Sequence, residues 1–374
     1  MLIDTIRFAH LLEEHNLHDL SHFLAHTAFI ISHKSESLET LAGVLWYLPV
    51  NSPIIVVTNC PPEEYEMLRL GLRARLASHR QLFVVHQKDE VLATLLRAHG
   101  VAHILDSSGH VRDGKGEGMY LGTLLAHLLR FPRWLIFYDA DNLVPCALLE
   151  YTLAMGRLFM AAHTTYAYHA SGTLHNIRIC WAAKPGLRNG MLVEASAGRC
   201  TSVVSPIVSL LCQSWSGLSE TITSPNAGEQ GMTSTTAQTL RFASGFSVET
   251  FLLLDLLFKA SPFHPTPMAA LLQQYHSHSP HFHTKRDEEH IREMIAASLG
   301  SLLLFQEQLP LQVEQALLRT CEELELTLTP PLVYPALQEL DLSGEEDLPD
   351  RYRLLEPVES PGRGSDSLLE TSLS

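Results

Sequence analysis

The sequence predicts an α/β protein with a mostly parallel sheet flanked by helices. Apolar runs that suit strands alternate with helical patterns four or five times between residues 27 and 142. Each of these strands ends in polar residues, which places the polar groups at one edge of the sheet. The run from Trp134 to Tyr138 is apolar on both faces, as is typical of a central strand covered by helices on both sides.

The individual elements follow from short apolar runs for strands and from helical spacing of apolar residues for helices. Pro61 and Pro62 suit the first turn of a helix. The first 24 residues have the pattern of an amphipathic surface helix. We therefore predict strands at 27–31, 53–58, 82–85, 134–138 and 176–181, and helices at 1–24, 37–48, 61–77, up to residue 99, and at 117–130, 145–160, 201–215, 250–258 and 291–303.

The composition limits the class of protein. The length of 374 residues suits one large domain or two modest ones, and 46% hydrophobic residues is ordinary for a globular protein. A net charge of −15 argues against nucleic acid or an anionic membrane as a general partner. The six cysteines show no Cys-x-x-Cys spacing, and no signal-peptide core or membrane-length apolar run is present. We expect no disulfide framework and a reducing compartment.

Asp139 and Asp141 follow the central apolar strand directly. Residues i and i+2 of a strand point the same way, so both carboxylates are expected to face one spot beyond its carboxyl end. Two carboxylates about 4 Å apart repel by about 4 kcal/mol at an effective dielectric of 20. A divalent cation removes that repulsion, because hard cations prefer oxygen ligands. The alternative is an ordinary Asx-rich turn.

Three further motifs are weaker signals, each with a structural alternative. The loop Gly114-Lys-Gly-Glu-Gly118 allows a close backbone approach and precedes a helix, which suits an anion, but an ordinary glycine loop fits equally. Glu249 is either a common first-turn acid or a site carboxylate. His281 and His283 share a face if extended, which suits a metal, but a solvated histidine loop is the simpler interpretation.

Taken together, the motifs resemble the mannosyl-3-phosphoglycerate synthases, retaining glycosyltransferases of the GT-A fold. Six stretches occur in the family's order between about 27 and 305. They are His86-Gln-Lys-Asp89, Gly114-Lys-Gly-Glu-Gly-Met119, Phe137-Tyr-Asp-Ala-Asp-Asn142, Asn226-Ala-Gly-Glu229, Phe242-Ala-Ser-Gly-Phe-Ser-Val-Glu249, and Pro280-His-Phe-His283 with His290-Ile291.

The resemblance implies transfer of mannose from GDP-mannose to 3-phosphoglycerate with retention, giving mannosyl-3-phosphoglycerate, the precursor of the compatible solute mannosylglycerate. It implies a divalent metal, with Mg²⁺ preferred over Mn²⁺ or Co²⁺, a cytoplasmic enzyme and a possible homodimer. It also implies that residues 1–150 bind the nucleotide sugar and that residues 151–330 bind the acceptor and form a helical part. From composition alone, residues 331–374 are expected to form a loosely attached or disordered acidic tail. The tail has no counterpart in the resemblance, and its composition is rich in acidic residues, serine, glycine and proline.

The resemblance also implies roles for single residues. Asp139 and Asp141 are the Asp-x-Asp motif; Asp141 binds the metal with His283, or with His281 as second choice, and Glu249 holds sugar hydroxyls. Arg199 binds the acceptor phosphate, with Arg178 and Lys184 as lesser candidates. The nucleotide pocket is formed by Ser32, Glu36, Asn59, Lys88, Lys115 and Asp139, and the acceptor pocket also contains Asn226, Gly228, Glu229 and Gln230.

Three positions depart from the family pattern, at Ser35, Cys60 and Gln230. They lie in the expected nucleotide and acceptor pockets, so donor preference stays open. The alternatives are a glucosyl-3-phosphoglycerate synthase that uses an NDP-glucose, and a catalytically silent homologue that only binds nucleotide sugar.

Overall fold

The computed structural model describes residues 1–7, 17–76, 81–165, 172–182, 185–188, 191–194, 198–283 and 287–355. Its first half alternates strands and helices as predicted. The elements are β1 (Leu2–Arg7), α1 (Leu17–Ala25), β2 (Thr27–His33), α2 (Leu38–Trp46), β3 (Ile54–Thr58), α3 (Pro62–Arg75), β4 (Leu82–His86), α4 (Glu90–Ala98), α5 (Lys115–Leu128), β5 (Trp134–Asp139) and α6 (Ala147–Thr165).

The second half contains the predicted strand at 176–181 as β6, and it adds further strands that the sequence pattern did not indicate. The elements are β6 (Leu174–Cys180), β7 (Pro185–Arg188), β8 (Met191–Glu194), α7 (Arg199–Ser216), β9 (Gln230–Thr233), α8 (Ser234–Thr239), β10 (Phe242–Ala243), α9 (Ser247–Ala260), β11 (Ala270–His276), α10 (Glu288–Gly300), α11 (Leu311–Glu323), β12 (Val333–Tyr334) and β13 (Arg353–Leu355).

One large sheet joins strands from both halves of the chain. Its nine strands lie in the order β1-β11-β6-β9-β5-β2-β3-β4-β13. Neighbouring strands are parallel except at β9, which is antiparallel to both β5 and β6, and at β13, which is antiparallel to β4. The prediction of a mostly parallel sheet is confirmed, and the carboxyl ends of β2, β3, β4, β5 and β6 lie at one edge.

Helices cover both faces of the sheet because the central strands are apolar on both sides. In β2, Ala28 and Ile30 pack on one face while Phe29 and Ile31 pack on the other. The first face contacts α4, α5 and the helices from α7 onward, and the second contacts α1, α2, α3 and α6. None of the helices that the structure describes has the length and apolar character needed to cross a membrane.

The prediction of a single helix over residues 1–24 is wrong at its start. Residues Leu2–Arg7 form β1, which pairs in parallel with β11 at the edge of the sheet. A local pattern of apolar residues cannot anticipate this strand, because its backbone hydrogen bonds come from a segment about 270 residues later in the chain.

The prediction of a loosely attached tail is corrected for residues 331–355. Here β12 pairs with β10, and β13 extends the main sheet beside β4. The composition of this segment is acidic and includes proline, which suggested a solvated tail. Several of its apolar side chains are nevertheless buried: Tyr334, Leu337, Leu342, Leu348 and Tyr352. The remainder of the predicted tail, 356–374, lies outside the described residues.

Candidate active site

A lysine joined to two carboxylates lies at the carboxyl edge of the sheet. Lys115 is the first residue of α5, Asp139 is the last residue of β5, and Glu249 lies in the first turn of α9. The Lys115 Nζ is 2.6 Å from Asp139 Oδ1 and 2.6 Å from Glu249 Oε1. Lys115, which sequence analysis assigned to the nucleotide pocket, is therefore in direct contact with two of the residues assigned to catalysis, Asp139 and Glu249.

The electrostatics of this group are strongly coupled. Burial alone would lower the pKa of Lys115, but the Asp139 and Glu249 carboxylates raise it above its usual value. Burial raises the pKa of Asp139 to about 7, aided by the neighbouring carboxylates and opposed by Lys115. Lys115 therefore stays charged at neutral pH.

A second ionic group adjoins the first, two residues after Asp139. The Nε2 of His281 lies 3.0 Å from Asp141 Oδ1, and its Nδ1 lies 2.8 Å from Glu229 Oε1. His281 and Glu229 are each only 1% exposed. Trp181, directly after β6, stacks on the imidazole with ring centroids 4.3 Å apart. His283 lies beside them, 5.6 Å from His281 between ring centroids.

The carboxylates also determine the charge of His281. Burial would lower the pKa of this imidazole, but Glu229 and Asp141 raise it to about 10. Burial would raise the pKa of Asp141, and the histidine contact lowers it below its usual range. Across both groups, four carboxylates face one lysine and one histidine. With all four carboxylates ionised, the site has an excess of two negative charges, which a divalent cation would balance.

Residues expected to bind the nucleotide lie at the ends of β2, β3 and β4. Asn59 Nδ2 donates to Asp113 Oδ1 at 3.1 Å, and Lys88 Nζ lies 2.9 Å from the same oxygen. Ser32 is paired with Asp139 across β2 and β5, and the Glu36 carboxylate accepts from the Lys34 backbone. The structure thus joins Asn59 and Lys88 through Asp113, a residue that sequence analysis missed although it directly precedes the glycine loop.

Residues expected to bind the acceptor phosphate lie at the start of α7. Arg199 is its first residue and is paired with Glu288 of α10. Thr201, two residues later, donates to Asn226 Oδ1 at 2.9 Å. Arg199 and Asn226 therefore lie near each other, as expected. Thr201 was missed because a threonine in a helical pattern gives no signal of its own.

The expectation that Arg178 and Gln230 contact substrate does not agree with this structure. Both side chains are fully buried. Arg178 donates to the carbonyls of Ser224, Pro225 and Glu249 and to Gln230 Oε1. Because these acceptors belong to the chain itself, Arg178 fixes the 224–230 loop against α9. Lys184, the other lesser candidate, lies outside the described residues.

Two glycines are required by close packing at the site. A Cβ on Gly228 would lie 2.5 Å from Asp139 Oδ2 and 2.8 Å from Lys115 Nζ. A Cβ on Gly116 would collide with the Ala243 carbonyl. The glycine loop therefore makes its close backbone approach to the chain's own 243–245 segment, and Gly228 packs directly on the Lys115–Asp139 pair.

The donor set fits a divalent cation that binds few protein ligands. Among the residues that the structure describes, no three or more His, Cys, Asp or Glu side chains are arranged to enclose a metal ion. However, Asp141 Oδ1 and His281 Nε2 are 3.0 Å apart. That is the spacing of neighbouring ligands about 2.1 Å from an octahedral ion. A separate pocket of about 150 Å³, lined by Thr123, His127 and Arg130, lies at the other end of α5 and contains none of these residues.

Comparison with known proteins identifies a family for the chain. A sequence model of the mannosyl-3-phosphoglycerate synthase family matches residues 7–347. The chain is 30% identical to mannosyl-3-phosphoglycerate synthase from Pyrococcus furiosus, over 75% of this chain and 72% of that protein, and 29% identical to the one from Aeropyrum pernix, over 74% and 72%.

The GT-A fold is also confirmed by a solved structure. Glucosyl-3-phosphoglycerate synthase from Mycobacterium tuberculosis, in complex with Mn²⁺ and UDP-glucose, superposes with a TM-score of 0.50 at 18% identity, covering 81% of this chain and 87% of that one. The similarity at this level concerns the fold alone. With the family match across residues 7–347, it follows that the chain belongs to the mannosyl-3-phosphoglycerate synthase family of glycosyltransferases.

Proposed function

We propose that this protein transfers mannose from GDP-mannose to 3-phosphoglycerate with retention and requires a divalent metal. The observation that supports the proposal is the contact of Lys115 with Asp139 and Glu249 next to the Asp141–His281 pair. This arrangement provides a cation and a metal-ligand pair where the leaving diphosphate of a nucleotide sugar would develop charge.

The metal would be bound by Asp141 and a histidine of the 276–283 loop. Sequence analysis preferred His283, with His281 as second choice; the contact of His281 Nε2 with Asp141 Oδ1 supports His281 as a ligand, and His283 lies beside it. A bound ion would neutralise the diphosphate and the excess carboxylate charge. We propose Mg²⁺ first, with Mn²⁺ and Co²⁺ as alternatives. The carboxylate and the diphosphate oxygens suit Mg²⁺ and Mn²⁺, and an imidazole ligand suits a transition metal better than it suits Mg²⁺.

The donor and acceptor would approach the site from opposite sides. The nucleotide would lie along the ends of β2, β3 and β4, near Ser32, Glu36, Asn59 and Lys88. On the acceptor side, Arg199 suits an anionic phosphoglycerate because its guanidinium binds phosphate or carboxylate in a bidentate manner. Asn226 and Thr201 would complete that side.

Retention is assigned to attack by the acceptor on the side of the leaving group, with the diphosphate as base. A double displacement needs a free carboxylate nucleophile. Glu249 is instead paired with Lys115, and Glu229 is buried against His281. Inversion at the anomeric carbon of the product would refute this mechanism.

A product assay tests the proposed function. The protein is incubated with 3-phosphoglycerate and Mg²⁺, with GDP-mannose, GDP-glucose or UDP-glucose in separate reactions, and EDTA in controls. We expect a phosphatase-sensitive mannoside from GDP-mannose and none with EDTA. A glucoside would assign the protein to the related glucosyl-3-phosphoglycerate synthase activity, and nucleotide-sugar binding without turnover would identify a silent homologue.

Cellular placement and assembly belong to the same proposal. Both substrates are anionic metabolites, and the net charge of −15 opposes binding to nucleic acid or to an anionic membrane. We therefore place the enzyme in the cytoplasm with no membrane or nucleic-acid partner. We propose a homodimer on family grounds, to be tested by light scattering coupled to size-exclusion chromatography.

A further inference from the structure

We propose that Glu229 is a positioning residue of the metal site, which orients His281 toward Asp141, and that it is not an acceptor ligand. The inference rests on the metal dependence given as part of the proposed function. It replaces the role that the sequence resemblance implied for Glu229, which was contact with the acceptor.

The imidazole of His281 lies between two carboxylates. Glu229 Oε1 lies 2.8 Å from Nδ1 of His281, and Asp141 Oδ1 lies 3.0 Å from Nε2. A histidine that binds a metal through one ring nitrogen commonly directs the other toward a carboxylate, which fixes the tautomer and the ring orientation. Glu229 lies close enough to Nδ1 to act as such a carboxylate: the two atoms are in ion-pair contact, and a small rotation of the ring would bring the N–H into hydrogen-bond geometry, which this structure does not show.

Burial restricts Glu229 to this one interaction. Glu229 and His281 are each 1% exposed, so water cannot easily replace either partner. Among the described residues, the second oxygen of Glu229, Oε2, has no hydrogen-bond partner. Its other oxygen, Oε1, is in contact with Nδ1 of His281, so the carboxylate depends chiefly on that ring.

The backbone around Glu229 is held in place on both sides. Its carbonyl accepts from the Ile179 backbone at 3.0 Å, and β9 begins at the next residue. Arg178 fixes the preceding turn through the Ser224 carbonyl at 2.8 Å. The carboxylate is thus attached to the sheet itself, which makes it a rigid reference for His281.

The imidazole is also restrained from its face and through its loop. Trp181 stacks on it at an interplanar angle of 27°. The next residue, Phe282, accepts from the Leu143 backbone at 2.6 Å, which ties the histidine loop to the segment that follows Asp141. These contacts set the ring plane and the loop, and Glu229 sets which nitrogen faces Asp141.

An acceptor role for Glu229 conflicts with its charge and burial. Phosphoglycerate is an anion, and a carboxylate repels it. The residues suited to an anion, Arg199 and Thr201, lie at the start of α7 beside Asn226, at the other end of the 226–229 segment. Glu229 points instead to His281.

Metal affinity of the isolated protein tests the inference without relying on turnover. Mn²⁺ is titrated into the wild type, E229Q and E249Q, and free Mn²⁺ is measured by electron paramagnetic resonance. E249Q removes one carboxylate from the same pocket but has no contact with His281, so it controls for general loss of negative charge. We expect E229Q to weaken Mn²⁺ binding by about 10- to 100-fold, as is usual for partners of metal-bound histidines, and more than E249Q does.

The outcomes separate this inference from the proposed function. If the wild type binds no Mn²⁺, the proposed metal dependence fails. If the wild type binds Mn²⁺ and E229Q binds it as tightly as E249Q does, the positioning role is refuted. At saturating Mn²⁺ the KM for 3-phosphoglycerate should be unchanged in E229Q; a selective rise would restore the acceptor role.

A measurement on the wild type covers the case in which E229Q does not fold. In a long-range ¹H–¹⁵N spectrum of histidine-labelled protein with Zn²⁺ bound, His281 is identified by the signal lost in H281N. We expect a proton on Nδ1 and the metal on Nε2. The opposite tautomer would overturn the inference.

Discussion

Replacement of Lys115 by methionine tests the central ion-pair group most directly. The two carboxylate oxygens each lie 2.6 Å from Nζ, so they are no farther apart than twice that distance. At about 5 Å and an effective dielectric of 20, two unit charges repel by about 3 kcal/mol. Loss of one partner of a buried ion pair typically destabilises a protein by about 3–5 kcal/mol. We therefore expect K115M to lower the free energy of unfolding by about 3 kcal/mol at pH 8.

The loss should shrink as the pH falls, because protonation of one carboxylate relieves the repulsion. We also expect the rate constant kcat to fall by about 10²- to 10³-fold, the usual effect of removing one preorganised electrostatic donor. Urea unfolding and the product assay measure the two effects.

Lys259→Met is a matched control for this change. Lys259 has the same side-chain exposure as Lys115, 12%, and lies 3.9 Å from the buried Asp255. Asp255 keeps its hydrogen bonds from Arg241 in this variant, so K259M should cost less than about 1 kcal/mol, in the range of a weak ion pair. If K115M is no less stable than K259M, or retains full activity, the reasoning about the Lys115 group is refuted.

Three other predictions follow from the structure. Y334F removes the hydroxyl that donates to buried Glu117 at 2.5 Å, so it should destabilise the protein by about 2 kcal/mol and lower kcat by loosening the start of α5, where Lys115 lies. Y352F loses a bond to Asp89, the N-cap of α4 next to Lys88, so it should destabilise the protein with a smaller loss of kcat than Y334F. G228A should lower the free energy of unfolding by about 1–3 kcal/mol, because its Cβ would collide with Asp139. In G43A the new Cβ would meet only Pro145 at 3.6 Å, so this control should be tolerated. Equal melting temperatures of the two variants would contradict the prediction. Burial lowers the pKa of His175 from 6.5 to about 4 in the folded protein. The unfolded state therefore binds the proton more readily, and the stability of the fold falls as the pH drops from about 6.5 towards 4. Between pH 7 and pH 5 the free energy of unfolding of the wild type should fall by about 2 kcal/mol more than that of H175Q. Urea unfolding at both pH values measures this, and an equal fall in the two proteins would show that His175 has no such effect.

The sequence predicted those parts of the fold that depend on local patterns. The central strands β2, β3, β4 and β5 are apolar on both faces, and each is followed by a polar segment, so their type and shared edge could be read directly. β11 was missed because it includes Gln273 and Gln274, whose burial depends on distant partners. Gln274 accepts from the Thr223 and Ser224 backbones, which no local pattern reveals.

Site residues could be predicted where a residue type matched a known motif. Residues that support the site by binding other parts of the chain were harder to predict. Asp139, Lys115 and Glu249 were assigned from motifs, and they are in contact. Arg178 was assigned to substrate because an arginine suits an anion. Its full burial depends on carbonyl groups from the 224–230 loop and α9, which only the folded chain brings together. The same limit applies to the Tyr334–Glu117 contact, which joins residues 217 positions apart.

The charge of the site constrains the order in which it can be filled. Four carboxylates face one lysine and one histidine, and Lys115 is already engaged by two of them. A diphosphate entering alone would meet net negative charge at short range, and such repulsion is only weakly screened in a buried pocket. A cation that binds with or before the donor offsets the net negative charge of the site, and it leaves Lys115 able to share its charge with the diphosphate. Binding of the metal and binding of the donor are therefore coupled, and each should strengthen the other by the same factor.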